Sequence, residues 1–85
     1  MSVFESLIDA KTLKIIRLFL QNKQQEYHLH KISEDTNVPL ATVFRIVQKL
    51  VKLKLIEPII IGKMKIYRLA NNSKIIELRK VLKHG

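Results

Sequence analysis

The residues with the clearest chemical pattern lie between Pro39 and Lys54. At about 100° per residue, Ala41, Arg45, Gln48, Lys49 and Lys52 fall on one arc of a helix. Val43, Ile46, Val47, Leu50 and Leu53 fall on the other. The polar arc holds three cations, an amide and a small residue, and no acid. A merely solvated helix face usually mixes the two signs of charge. An acid-free face with a Gln and a small Ala fits a helix laid against DNA. Phe44 and Val51 lie on the border between the arcs, and their size assigns them to the edge of the core rather than to base contacts.

Other constellations carry less. His28 and His30 form an H-x-H, which on a strand puts both rings on one side. A metal site needs further ligands, and His84 is near the end of the chain, so surface or capping histidines are expected and no metal. No nucleophile motif surrounds any Ser. Gly62 and Gly85 are the only glycines, too few for a Gly-rich phosphate loop. Glu34 and Asp35 are adjacent and point to different helix faces, a poor general acid/base pair. With no Cys there is no disulfide, thiol catalysis or thiolate metal site. These readings predict a protein that is not an enzyme and has no cofactor.

The length of 85 residues predicts one domain over 1–85. A core this small often leans on disulfides, a metal or a partner subunit, and the lack of Cys leaves the partner as the natural expectation. The composition, 47% hydrophobic and 27% charged, is that of a globular chain rather than a disordered one. No apolar run approaches the roughly 18 residues of a membrane span, and the start does not resemble a signal peptide. The expectation is a soluble cytoplasmic protein with no membrane partner. The net charge of +9 is unevenly placed: residues 1–38 hold five basic and five acidic groups, while 39–85 hold eleven basic groups against Glu57 and Glu77. Such a patch attracts a polyanion. It also suits a surface that only keeps the protein soluble.

The elements that must position these groups follow from periodicity and turn chemistry. Ser2-Val3-Phe4-Glu5 and Ser6-Leu7-Ile8-Asp9 fit helix-start signals. They predict a short lead-in helix and a main helix from about Asp9 to 22, with Leu13, Ile16, Phe19 and Leu20 inward. Tyr27-His28-Leu29 reads as a small bridging strand. A short helix from about His30 to Thr36 is anchored by Ile32, with Asn37 making the turn because Asn tolerates a left-handed backbone. Pro39 opens the next helix, which runs to about Lys54. Ile59–Ile61 and Met64–Leu69 are β-rich and separated by Gly62-Lys63, which suits a two-residue hairpin turn. Pro58 marks an edge strand or its entry. Asn71-Asn72-Ser73 offers caps for a last helix to about Lys83.

From Leu29 the chain reads LHKISEDTNVPLATVFRIVQKLVKLKLI. With Ile32-Ser33 before Asn37-Val38, then Ala41-Thr42-Val43, Arg45 and Leu50, then Leu55-Ile56 and Ile66-Tyr67-Arg68-Leu69, it resembles the winged helix-turn-helix of ArsR/MarR-like transcriptional regulators, especially small archaeal members. The resemblance spans roughly residues 9–69. It implies an α+β, mostly α fold: a helix-turn-helix at about 30–54, a short β-hairpin wing at about 55–69 and a C-terminal helix at about 72–83. It also implies a recognition helix in the major groove, whose N-terminal part reads bases. Leu40, Ala41, Thr42, Arg45 and Gln48 then become the base-reading candidates: Arg grips guanine, Gln adenine, and Ala meets a thymine methyl. Lys49 and Lys52 would hold phosphates, and Lys63, Lys65 and Arg68 on the wing would reach the flanking backbone or minor groove. The chain departs from the family pattern at Asn37 and Lys54, where Gly is usual, at Thr36, where a core Leu is usual, and at Phe44, where a small polar residue is usual.

Ile75, Ile76, Leu78, Val81 and Leu82 give the last helix more apolar coverage than one contact surface requires. They read as a dimerisation helix, or as simple packing on the core. The resulting expectation is a homodimeric, sequence-specific double-stranded DNA-binding transcriptional regulator, nucleoid-associated, with no small-molecule ligand evident. Two rivals stand beside it. One is a non-specific nucleoid or architectural protein of the same fold. The other is a winged helix used for protein–protein contact through Phe44, Val51 and Ile59–Ile61. RNA is disfavoured by the few stacking aromatics, three Phe and two Tyr in all.

Overall fold

The computed structural model describes residues 9–22 and 24–83. The expected lead-in helix lies outside them. The described elements are α1 (Ala10–Gln21), α2 (Leu29–Thr36), α3 (Leu40–Lys52), β1 (Ile56–Ile61), β2 (Met64–Leu69) and α4 (Ser73–Lys83). Helix, helix-turn-helix, hairpin and closing helix therefore follow in the anticipated order.

Each helix begins for a local reason. Asp9 caps α1 by accepting a hydrogen bond from the Thr12 N–H at 2.8 Å. Asn72 does the same for α4, its Oδ1 accepting from the N–H groups of Lys74 and Ile75 at 3.0 and 3.3 Å. Pro39 stands just before α3 as its N-cap rather than as its first helical residue. The helix is also shorter than the sequence suggested. It ends at Lys52 because Lys54 adopts a left-handed backbone, φ +66°. Leu53, expected on the buried arc, is consequently 51% exposed.

The turn between α2 and α3 is set by Asn37, which sits at φ 58°, ψ 34° and ends α2. Asn at this position does without glycine because its short polar side chain lowers the cost of the left-handed region. Around it, Ser33 Oγ donates to the Val38 carbonyl at 2.6 Å, tying α2 to the start of the turn. Thr36 is buried where a Leu was expected, and its hydroxyl donates to the Ile32 carbonyl at 2.6 Å, so no polar group is stranded.

The hairpin is a two-stranded antiparallel sheet pairing Ile56 with Leu69 through to Ile61 with Met64. β1 starts earlier than expected and carries Pro58 inside it, tolerated because this strand is an edge. Of the two turn residues only Gly62 takes a positive φ, +62°, as the first position of a type II′ turn requires. Tyr27 extends the sheet by a single bridge to Tyr67, with both N–H groups donating at 2.8 Å. The bridge stops at Tyr27. His28 stands at the N-cap position of α2 without a side-chain capping bond and His30 lies in its first turn, so the H-x-H is not held on one side of a strand.

The core gathers one face from every element: Ile15, Ile16 and Phe19 of α1, Ile32 of α2, Val43, Ile46, Val47 and Leu50 of α3, Ile56 and Tyr67 of the hairpin, and Leu78 and Leu82 of α4. Ile15, which the α1 pattern did not single out, is fully buried, while Leu13 and Leu20 are only partly so. Phe19 and Tyr27 meet edge to face at 5.1 Å. No helix among the described residues is long and apolar enough to cross a membrane.

Candidate nucleic-acid interface

The two arcs of α3 separate as their chemistry requires. Val43, Ile46, Val47 and Leu50 are buried against the core. Ala41, Arg45, Lys49 and Lys52 are exposed, and Thr42 and Gln48 are half-buried at the margins. Arg45, Lys49 and Lys52 make no ion pair among the described residues. Lys49 and Lys52 also occupy the last turn, where positive charge is favoured by the helix dipole. A face with free donors, no acid and one small residue can approach phosphates and base edges without a like-charge or steric penalty.

Gln48 is held more firmly than the others. Its Nε2 donates to the hydroxyl of Tyr67 on β2 at 3.3 Å. Tyr67 is only 1% exposed, so this bond satisfies a hydroxyl otherwise cut off from water. One N–H and the carbonyl oxygen of Gln48 remain to face a base. Lys65 Nζ lies 5.9 Å from the centroid of the same ring. α3 and the hairpin are thus linked through one tyrosine.

The wing brings Lys63 and Lys65 to its turn, both exposed. Arg68 stands apart from them. It pairs across the strands with Glu57, its Nε 3.1 Å from the carboxylate. The Glu57–Arg68 pair is one residue out of phase with Pro58–Tyr67, so it lies on the opposite hairpin face. There it lines a groove of about 760 Å³ together with Ile76, Arg79 and Lys80 of α4. Arg68 is therefore not gathered with the α3 cations.

The remaining candidates divide by burial. Leu40 is 38% exposed at the start of α3. Phe44, expected at the edge of the core, is 52% exposed, because the neighbouring core positions are filled by Val43 and Val47. Val51 is half-buried. On α4, Ile75, Leu78 and Leu82 are buried within this chain, and only Ile76 and Val81 keep surface for a partner. Two features escaped the sequence. Lys54 takes a left-handed backbone, φ +66°, after α3, and its signal was the departure from a usual Gly. The Gln48–Tyr67 bond had no sequence signal, since it joins residues 19 apart. No group of three or more His, Cys, Asp or Glu suited to a metal ion occurs among the described residues.

A helix-turn-helix followed directly by a two-stranded hairpin defines a winged helix-turn-helix domain, a DNA-binding module of transcription regulators. Residues 10–58, more than half of the chain, match the family described as the IclR helix-turn-helix domain. The chain belongs to that family. The match names the IclR type, where the sequence motifs had suggested the ArsR/MarR-like group. No curated protein matches the chain. Among solved structures, a protein from Archaeoglobus fulgidus superposes with a TM-score of 0.75 at 22% identity, over 98% of this chain and 91% of that one. A fragment described as a "possible transcriptional regulatory protein" from Mycobacterium bovis gives 0.72 at 24% identity, over 92% and 80%. An iron-containing ferric uptake regulator from Francisella tularensis gives 0.71 at 17% identity, over 78% of this chain. This chain spans about half, 55%, of that protein's length.

Proposed function

We propose that residues 1–85 act as one DNA-binding unit, a homodimeric and sequence-specific regulator of transcription that works in the cytoplasm beside the chromosome. The observation that carries this reading is the acid-free outer arc of α3, on which Arg45 is exposed and unpaired by any acid among the described residues. Arg45 and Gln48 read base edges in the major groove, with Leu40, Ala41 and Thr42 completing the contact near the helix start. Lys49, Lys52, Lys63 and Lys65 hold phosphates on either side. Arg68 joins them only by exchanging Glu57 for a phosphate. A second copy pairs through the surface left on Ile76 and Val81. Regulation follows from occupancy, by blocking polymerase, and requires neither catalysis nor a cofactor. The short ArsR/MarR-like motif set is compatible with such a compact repressor-like mode.

Selection of binding sites from a random duplex library at near-physiological salt tests this reading. An enriched inverted repeat is the expected result, with half-sites about one helical turn, 10–10.5 bp, apart or a multiple of it. Arg45→Ala then loses sequence preference. Lys63→Ala or Lys65→Ala weakens binding to all duplexes and lowers the salt slope by about 0.9 per charge. Retention of DNA with no enriched motif overturns specificity in favour of an architectural role. Failure to retain DNA overturns the reading itself.

A further inference from the structure

The tip of the wing is unlike the rest of the surface. Ile60 is 71% exposed, Ile61 57% and Met64 46%. Large apolar groups at a hairpin tip contribute little to folding, and clusters of them mark contact sites. They are distributed over both faces: Ile60 opposes Lys65 on the face that carries Tyr67, and Ile61 opposes Met64 on the other. A one-sided docking surface needs its apolar groups on one face. A blade with apolar groups on both suits insertion between two flat surfaces.

Three further observations identify the occupant. No acid occurs between Glu57 and Glu77, while Lys63 and Lys65 flank the apolar groups, so the tip complements a polyanion. The tip continues from the proposed DNA-facing surface through Tyr67, which meets Gln48 of α3 at its hydroxyl and Lys65 of the same hairpin face over its ring. Pro58 lacks an N–H in the middle of β1, which opposes addition of a partner strand along that edge.

We propose that the wing tip is an apolar wedge. With Lys63 and Lys65 on the flanking phosphates, Ile60, Ile61 and Met64 enter the minor groove beside the site of α3, part the stack at one base step and kink the duplex. The inference rests on the DNA-binding reading above and adds a deformation to it. Apolar side chains placed in this way elsewhere bend DNA by about 20–90°. Flexible TA and CA/TG steps would be the favoured points of entry. Sequence preference would thus arise at positions α3 never touches.

The test uses the full chain and a duplex of about 30 bp with a central TA step. Donor and acceptor dyes sit at its ends, and a 2-aminopurine replaces the adenine of that step. Expected on binding are a shorter end-to-end distance and a rise in 2-aminopurine emission. The double variant Ile61→Ser, Met64→Ser abolishes both signals and binds about tenfold more weakly, the loss of one apolar insertion, with an unchanged salt slope. Ile60→Ser, on the opposite face, gives a partial loss and serves as the independent variant. Circular dichroism of each variant reports the fold. A duplex that stays straight and stacked when bound, or bends equally with the double variant, overturns the wedge and leaves DNA binding standing. A change of oligomeric state in the double variant overturns it too, by making the tip a contact between copies. Wild-type protein that retains no duplex at low salt overturns both.

Discussion

α3 and the hairpin wing present similar chemistry and are built in opposite ways. α3 buries four apolar side chains, and its cations are the outer half of a helix fixed to the core. The hairpin is anchored by Ile56, Ile66 and Tyr67, and its far end leaves two isoleucines and a methionine in water. The difference teaches that apolar content alone does not define a core. In α3 the apolar residues determine where the charges point. At the wing tip they contribute little to the fold and remain available for an external surface.

The largest expected contrast uses one residue type in both regions. Ile46→Ala on α3 should cost about 2–5 kcal/mol in chemical denaturation, since a buried side chain is lost and a cavity left. Ile60→Ser on the wing should change stability by no more than about 0.5 kcal/mol. Similar costs for the two would show that the wing tip is packed in solution, and the contrast would collapse.

The joint between the regions comes next. Tyr67→Phe removes the hydroxyl that holds Gln48 and should cost about 0.5–1.5 kcal/mol of stability. It should also weaken the base preference proposed to depend on Gln48, leaving the salt slope alone. An unaltered preference would mean that α3 and wing are energetically separate.

The turn between them offers a gain. Lys54 holds φ +66°, which costs an L-residue roughly 1–2 kcal/mol. Glycine gives back part of this through its more flexible unfolded chain. Lys54→Gly should therefore raise stability by about 0.5–1 kcal/mol, seen as a higher denaturation midpoint. The hydrogen bond that the Asn72 side-chain amide donates to the Lys54 carbonyl, 2.9 Å, survives the change. A loss of stability would show that this backbone is not strained.

The smallest effect lies at the start of α1. The backbone N–H of Thr12 holds the Asp9 carboxyl below its ordinary pKa, and Lys49 of α3 adds to this. A lowered folded pKa means that the cap's contribution is complete above the unfolded value and fades as pH falls through the folded one. Asp9→Asn keeps an N-cap and should remove this small acid-side dependence in thermal melts.

Much of this was legible in the chain. The period of α3 separated Arg45, Lys49 and Lys52 from Val43, Ile46, Val47 and Leu50, because burial on a helix follows spacing. Asn37 and Gly62 marked their turns, because few residues tolerate a positive φ. The position of Lys54 was visible as a departure, but the shortened helix was not, since a lysine carries no stop signal. Phe44 was assigned to the core edge from its size, yet the core was already filled by its neighbours.

The sequence by itself determined the order of elements, the acid-free face of α3 and the basic C-terminal half, because these depend on local periodicity and on charge count. Only the tertiary structure decided that Gln48 is tied to Tyr67, that Arg68 turns toward Glu57 and the α4 groove, and that Ile75, Leu78 and Leu82 close this chain's own core. Each depends on which surfaces meet across long separations in sequence, and packing competition rather than residue type settles that.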